Sequence, residues 1–153
     1  MGTWEMTDAP KDRKPVTSKW VFVKKYDKDG NLQKYKARLV ARGYTQVPSM
    51  DYNETFVPVV SLETIRAILT LAVAQDWKIQ QMDVKGVYLN SDLKEEIYMT
   101  QPEGYNDGTA QLCHQIKTIY GLKQSGCEWN HKLNKKLIDA GFQRLHSDPC
   151  VYI

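Results

Sequence analysis

"KWVFVKKYDKDGNLQKYKARLVARGY", residues 19–44, decides the fold reading of this chain. Two β-prone runs flank "DKDGN", and the Asp29-Gly30 pair within it signals a hairpin turn, because glycine accepts a positive φ without steric cost. In the second run Lys34, Lys36 and Arg38 alternate with Tyr35, Ala37 and Leu39. A strand repeats every two residues, so the three cations are predicted on one face of a β-ribbon. The ribbon is also the centre of a charge asymmetry. Eleven basic and three acidic residues lie between Lys11 and Arg42, in a chain whose overall charge is only +3. The remainder is therefore net acidic. A basic lobe on an acidic body suits a polyanionic partner, and a solvated lysine-rich hairpin is the plainer alternative.

Working outward, 153 residues with 42% hydrophobic and 25% charged side chains fit one globular domain with a real core. No apolar run approaches the ~20 residues of a membrane span. "MGTWEM" has no basic stretch followed by an apolar one, so no signal peptide is expected. Three cysteines without a CxxC pair read as reduced thiols, and the expected location is intracellular, cytoplasmic or nuclear.

Residues 1 to 18 are polar, carry Pro10 and Pro15, and read as a loose leading segment. "SLETIRAILTLAVAQDW" predicts a helix capped by Ser61, with Ile65, Ile68, Leu69, Ala72 and Val73 as a buried stripe. "WKIQQMDV" predicts a short strand ending at Asp83, and "EEIYMTQP" another, stopped by Pro102. "NSDLKEE" between them reads as a solvated loop, and "QLCHQIKTIYG" as extended. From about Lys123 a helix carries Trp129, Leu133 and Leu137, with Gly141 as its C-cap. The closing "CVYI" is β-prone. Strands mixed with two long helices, without regular βαβ alternation, give an α+β class.

The candidate sites differ in weight. Cys127 and His131 are four apart on a predicted helix, and His146 and Cys150 repeat the spacing. Four such ligands suit zinc, but no CxxC knuckle is present and the second pair sits in an extended segment, which argues against zinc. Cys113 and His114 are strand neighbours on opposite faces, unsuited to nucleophile and base. No GxxxxGK[ST] or GxGxxG loop occurs. "YGLKQSG", residues 120–126, puts Gly121 and Lys123 before a helix start, where backbone amides attract anions; an ordinary strand-to-helix turn is the alternative. "QQMDVKGVYLN", residues 80–90, isolates one acid, Asp83, and an aromatic, Tyr88. Alone, each is an ordinary turn or packing residue.

Taken together, "KYKARLVARGYTQ", "DYNETFVPVV", "QMDVKGVYLN", "EEIYMTQPEGY", "IYGLKQS" and "DPCVYI" resemble, in order and approximate spacing, the reverse transcriptase of copia-type LTR retrotransposons. The resemblance runs from about residue 3 to 153. It implies a right-hand polymerase: fingers hairpin and extension over about 18–60, fingers and partial palm over about 61–153, with an antiparallel sheet and packed helices. It also implies an RNA-directed DNA polymerase of a Pol polyprotein, acting on an RNA template, a DNA primer and dNTPs, with Mg²⁺ or Mn²⁺ and no membrane. Lys36 and Arg38 match triphosphate contacts, and Asp83 the first metal-binding aspartate, with the Val84 carbonyl as accessory ligand. Tyr88 matches the aromatic that blocks a ribose 2′-OH, and Gly121 with Lys123 the turn lining the nucleotide pocket.

The family's Tyr-x-Asp-Asp turn, which supplies the other two acids, has no counterpart here, and no Asp-Asp pair occurs in the chain. The expectation is a truncated domain lacking that turn, the thumb and RNase H, inactive as it stands unless another part of Pol supplies the missing carboxylates. A non-catalytic nucleic-acid-binding module and a functionless relic are the alternatives. Within the match, Gly86 and Val87 replace a usual Thr-Ala, Ser91 a glycine, Gly126 a proline and Gln115 a basic residue.

Overall fold

The computed structural model describes residues 2–153. Five strands and two helices run in the order β1 (Trp4–Thr7), β2 (Ser18–Tyr26), β3 (Leu32–Ala41), α1 (Leu62–Ala74), β4 (Asp92–Met99), β5 (Leu112–Lys117) and α2 (Ser125–Asp139). They form two antiparallel sheets, a ribbon β2-β3 and a three-stranded sheet ordered β1-β5-β4.

The ribbon follows its sequence pattern. Val21 pairs with Arg38, Val23 with Lys36 and Lys25 with Lys34, so the predicted alternation is realised and Lys25 joins the cationic face. The turn is wider than a two-residue hairpin. Asp27 accepts bonds from the amides of Asp29 and Asn31, both at 2.9 Å, while Gly30 takes φ +84°. An aspartate side chain thus satisfies two turn amides, as Asx turns do.

The three-stranded sheet corrects the reading of residues 1 to 18. Trp4 through Thr7 pair with Gln115 through Leu112, making the segment an edge strand instead of a loose leader. The second sheet also absorbs "DLKEE" into β4, because its alternation lets Leu93 and Ile97 turn inward while Asp92, Lys94 and Glu96 stay exposed. "WKIQQMDV" forms no ladder; residues 78–84 run without regular structure. Period-two patterning makes a strand only where a neighbour offers backbone groups, and none does here.

The core joins the two sheets. Val16, Ala41, Ile97, Met99, Cys113, Ile119 and Leu122 form one buried cluster, with Leu39, Leu89 and Leu93 packed against it. α2 closes one side. It ends as predicted at Gly141 (φ +95°), where the amides of Gly141 and Phe142 donate to the carbonyls of Ile138 and Leu137, the Schellman pattern.

α1 begins where expected, the Thr64 amide donating to Ser61 Oγ at 3.0 Å. Its stripe is not core. Ile65 is 39%, Ile68 41% and Val73 79% exposed, and only Ala72 is buried. Among the described residues no strand or helix packs broadly across this face, and burial needs a partner as well as a pattern. A side-chain bond from Thr64 Oγ1 to Asp148 Oδ2, 2.7 Å, links α1 to the C-terminal segment. There Gln143 and Ile153 exchange backbone bonds around an Arg144–Tyr152 bridge. The result is a mixed fold of antiparallel sheets with two helices. Among the described residues no helix is long and apolar enough to cross a membrane.

Candidate functional site

The cationic face of the ribbon forms one wall of a cleft of about 760 Å³. Lys34, Lys36 and Arg38 from β3 and Lys25 from β2 line it together with Asp83, Val84 and Lys85. Crowding of like charge leaves a mark on Lys36. Its ammonium is held below the ordinary lysine range, by Arg38 foremost, then by desolvation and by Lys25 and Lys34, with Asp83 acting the other way. A surface that strains against its own charge is one that gains from a bound anion.

Asp83 is exposed on the irregular segment after α1. Beyond it the chain reverses at Gly86, whose φ of +59° lies in the left-handed region that favours glycine. Asn90 Nδ2 donates to the carbonyls of Lys85 and Gly86, both at 3.2 Å, holding this turn against the 3-10 turn Val87–Asn90. Tyr88 sits in that turn, half-buried. Its carbonyl accepts from Thr118 Oγ1 at 2.6 Å and from the Ser91 amide at 2.9 Å. Its ring meets Tyr120 edge-on, with centroids 4.7 Å apart and planes at 72°. The guanidinium of Arg38 lies 5.5 Å from the centre of the same Tyr120 ring. Tyr120 therefore joins the triphosphate candidate Arg38 to the sugar-gate candidate Tyr88. The sequence marks Tyr120 only as the aromatic of the turn at residues 120–126 and gives it no contact with either residue.

Gly121 serves the ribbon's position. The Ala41 amide donates to the Tyr120 carbonyl at 2.7 Å, and Gly121 takes φ +92° directly against Ala41. A Cβ at Gly121 would run into the Ala41 carbonyl, and one at Gly43 into the Gly121 carbonyl. Two glycines let two backbones touch, and so fix the comb relative to the turn.

Lys123 lies elsewhere. Its Nζ donates to Tyr52 Oη at 2.9 Å and sits 4.6 Å from that ring's centre, and it is not among the residues lining the Asp83 cleft. Beneath it is a buried polar bracket that the sequence did not announce. Gln46 Oε1 accepts the Lys123 amide at 2.8 Å, Gln46 Nε2 donates to Gln124 Oε1 at 3.0 Å, and Gln124 Nε2 donates to the Asp51 carbonyl at 2.8 Å. Asp51 in turn accepts the Val47 amide at 2.7 Å. The bracket ties the loop after β3 to the start of α2.

The remaining cysteine and histidine readings also separate. Cys113 is buried against Met6, whereas His114 faces Glu5 and stacks on Tyr98, as opposite strand faces require. Cys127 and His131 do come together on α2, with Glu54; His146 and Cys150 are not part of that group.

Five cations, Lys25, Lys34, Lys36, Arg38 and Lys85, and one carboxylate, Asp83, line this cleft, so its charge is strongly positive. The whole chain, residues 1–153, matches the family model for reverse transcriptase (RNA-dependent DNA polymerase), and the chain belongs to that family. It is 42% identical over 153 residues to the Retrovirus-related Pol polyprotein from transposon TNT 1-94 of Nicotiana tabacum, covering 99% of this chain and 12% of that protein. The Pol polyprotein from transposon RE2 of Arabidopsis thaliana is 40% identical over 154 residues, covering 99% and 11%. The Ty1-ER2 Gag-Pol polyprotein of Saccharomyces cerevisiae is 35% identical over 164 residues, covering 99% and 9%. This is reverse transcriptase sequence of copia-type Pol polyproteins, and the chain spans about a tenth of the length of these relatives. No solved structure matches.

Proposed function

We propose that this segment holds the triphosphate of an incoming dNTP and the adjoining RNA–DNA primer–template, as fingers and partial palm of an RNA-directed DNA polymerase. One observation carries the reading: Asp83 opens onto the same cleft as Lys34, Lys36 and Arg38. Phosphoryl transfer gathers negative charge on the transferred group, and fixed cations beside it offset that charge without reorganising. Lys36 and Arg38, two apart on one strand face, are spaced to grip neighbouring phosphates. Tyr88, half-buried and held by Tyr120, fits a rigid wall against a ribose 2′-OH. Residues 18–60 correspond to the fingers hairpin and its extension, and 61–153 to fingers and palm.

Divalent ions, which the family implies, need several oxygen ligands, and a pair of ions needs bridging carboxylates. Asp83 and the Val84 carbonyl are compatible with one share of such a set. Among the described residues no group of three His, Cys, Asp or Glu donors gathers at Asp83, so this segment alone does not fit a two-ion cage. That observation favours a second reading beside the first: the 153-residue chain by itself binds nucleic acid and nucleotide without joining them.

The test is paired. Fluorescence anisotropy with a labelled RNA–DNA duplex should give binding that weakens with salt and falls further in Lys36→Ala plus Arg38→Ala. Salt-insensitive or undetectable binding would remove the proposal. Primer extension with RNA template, dNTPs and Mg²⁺ should give no product from the chain alone; extension abolished by Asp83→Ala would overturn the inactive reading.

A further inference from the structure

We propose that Glu54, Cys127 and His131 form a metal site of the zinc class, separate from the Asp83 cleft. The three side chains offer a carboxylate oxygen, a thiol sulfur and an imidazole nitrogen, all within 4.8 Å of one another. Cys127 and His131 are one helical turn apart on α2, so their side chains share a face, the i, i+4 geometry by which a helix presents two ligands to one ion. Cys127 Sγ lies 3.9 Å from His131 Nε2. The third donor comes from the loop before α1, and its approach is held by packing: a Cβ on Gly126 would strike Val57 Cγ2 at 2.8 Å, so this loop already rests on the first turn of α2.

The donor set argues for the ion's class. A mixed sulfur, nitrogen and oxygen set suits borderline Zn²⁺ and its surrogate Co²⁺, not Mg²⁺ or Ca²⁺, which demand oxygen alone. Three protein ligands leave one tetrahedral position, and the exposure of Glu54 and His131 makes water its occupant. Surroundings favour a cation. Glu128 Oε1 stands 4.0 Å from His131 Nδ1, too far for a hydrogen bond but close enough to add negative charge beside the site. Lys94 pairs with Glu128 at 3.0 Å, which leaves Glu128 outside the ligand set. Binding would release the thiol proton and clamp the loop before α1 onto α2. Sequence spacing alone pairs Cys127 and His131 with His146 and Cys150; the fold supplies Glu54 instead.

Co²⁺ titrated into the reduced 153-residue chain tests this directly. A one-to-one sulfur-to-cobalt charge-transfer band in the near ultraviolet, displaced by Zn²⁺, is expected. Cys127→Ser should abolish the band, whereas Cys150→Ser should leave it intact. His131→Gln and Glu54→Gln, both at exposed positions, should each weaken Co²⁺ binding by about tenfold or more, since even outer partners of metal ligands are worth about 10–100-fold. Absence of the band in the unaltered chain, its survival in Cys127→Ser, its loss in Cys150→Ser, or unchanged affinity in His131→Gln would each overturn the site.

Discussion

The Arg38 guanidinium rests 5.5 Å from the centre of the Tyr120 ring, joining the cationic ribbon to the turn before α2 through a cation–π contact. The contact is partly shielded, because Arg38 and Tyr120 are both half-buried. Such contacts are worth about 0.5–1 kcal/mol where water still reaches them. A double-mutant cycle of Arg38→Met and Tyr120→Leu, read by urea unfolding, should return a coupling of about that size. Full additivity of the two single variants would mean that the ring only fills space.

Gly121→Ala tests the backbone approach that sets the comb's position. A residue with a Cβ must adopt φ +92° there and also displace the Ala41 carbonyl. Held strain of this kind costs about 1–3 kcal/mol, and the collision adds to it. Chemical denaturation should show a loss of at least that size, with the Ala41 amide losing hydrogen-exchange protection as its bond to Tyr120 opens. A stability within a few tenths of a kcal/mol of the original, a level usual for surface changes, would contradict the geometry.

Lys36→Met should separate stability from binding. The native environment lowers the Lys36 pKa, through Arg38 first, so its charge opposes folding wherever the ammonium persists. That opposition is fully present at neutral pH and disappears as pH rises through the unfolded value of about 10.5. The methionine variant should therefore unfold at a slightly higher temperature at pH 7. Its affinity for an RNA–DNA duplex should fall, and the slope of log K against log salt should shrink by about one counter-ion. A lower melting temperature with an unchanged salt slope would assign Lys36 a packing role instead.

The Gln46–Gln124 bracket is a buried polar network, and breaking it should cost more than its surface equivalents. Gln124→Leu strands Gln46 Nε2 and the Asp51 carbonyl without their partners. Leaving a buried donor or acceptor unpaired costs about 1–3 kcal/mol. Equilibrium unfolding should register that loss, and a neutral or stabilised variant would mean that water replaces the amide.

What could be read before folding was what depends on near neighbours. The alternation of Lys34, Lys36 and Arg38 survives because pleating is a local property, and Ser61 caps α1 because its hydroxyl and the Thr64 amide are three residues apart. Gly141 ends α2 for the same reason. Misreadings came where the answer lies across the chain. Trp4–Thr7 is a strand only because β5 lies alongside it. The stripe of Ile65, Ile68 and Leu69 reads as core from its period and is exposed, because period says which residues share a face and not what covers them. Of the candidate site, Asp83, Lys36 and Arg38 were legible as residue types in a familiar order. Their meeting with Lys25, and the roles of Tyr120, Gln46 and Gln124, depend on contacts that no local pattern encodes.

Asp107 supplies a pH test in the loop between β4 and β5. Its carboxylate accepts from Thr109 Oγ1 at 2.7 Å, from Gln101 Nε2 at 2.8 Å and from the Thr109 amide at 2.9 Å. These bonds, the Thr109 hydroxyl foremost, favour the ionised form and hold the pKa down to about 2, against 3.8 for a free side chain. The sign follows from linkage: a depressed carboxylate pKa adds stability that is complete above 3.8 and is lost as pH falls toward 2. A carbon NMR titration of the Asp107 carboxyl should therefore have its midpoint near 2, and the loop amides should lose exchange protection over the same interval. Thr109→Ala should move the midpoint up toward 3.8, since it removes the hydroxyl bond and leaves the backbone bond in place. A midpoint already at 3.8 in the unaltered chain would mean that these bonds do not persist in solution.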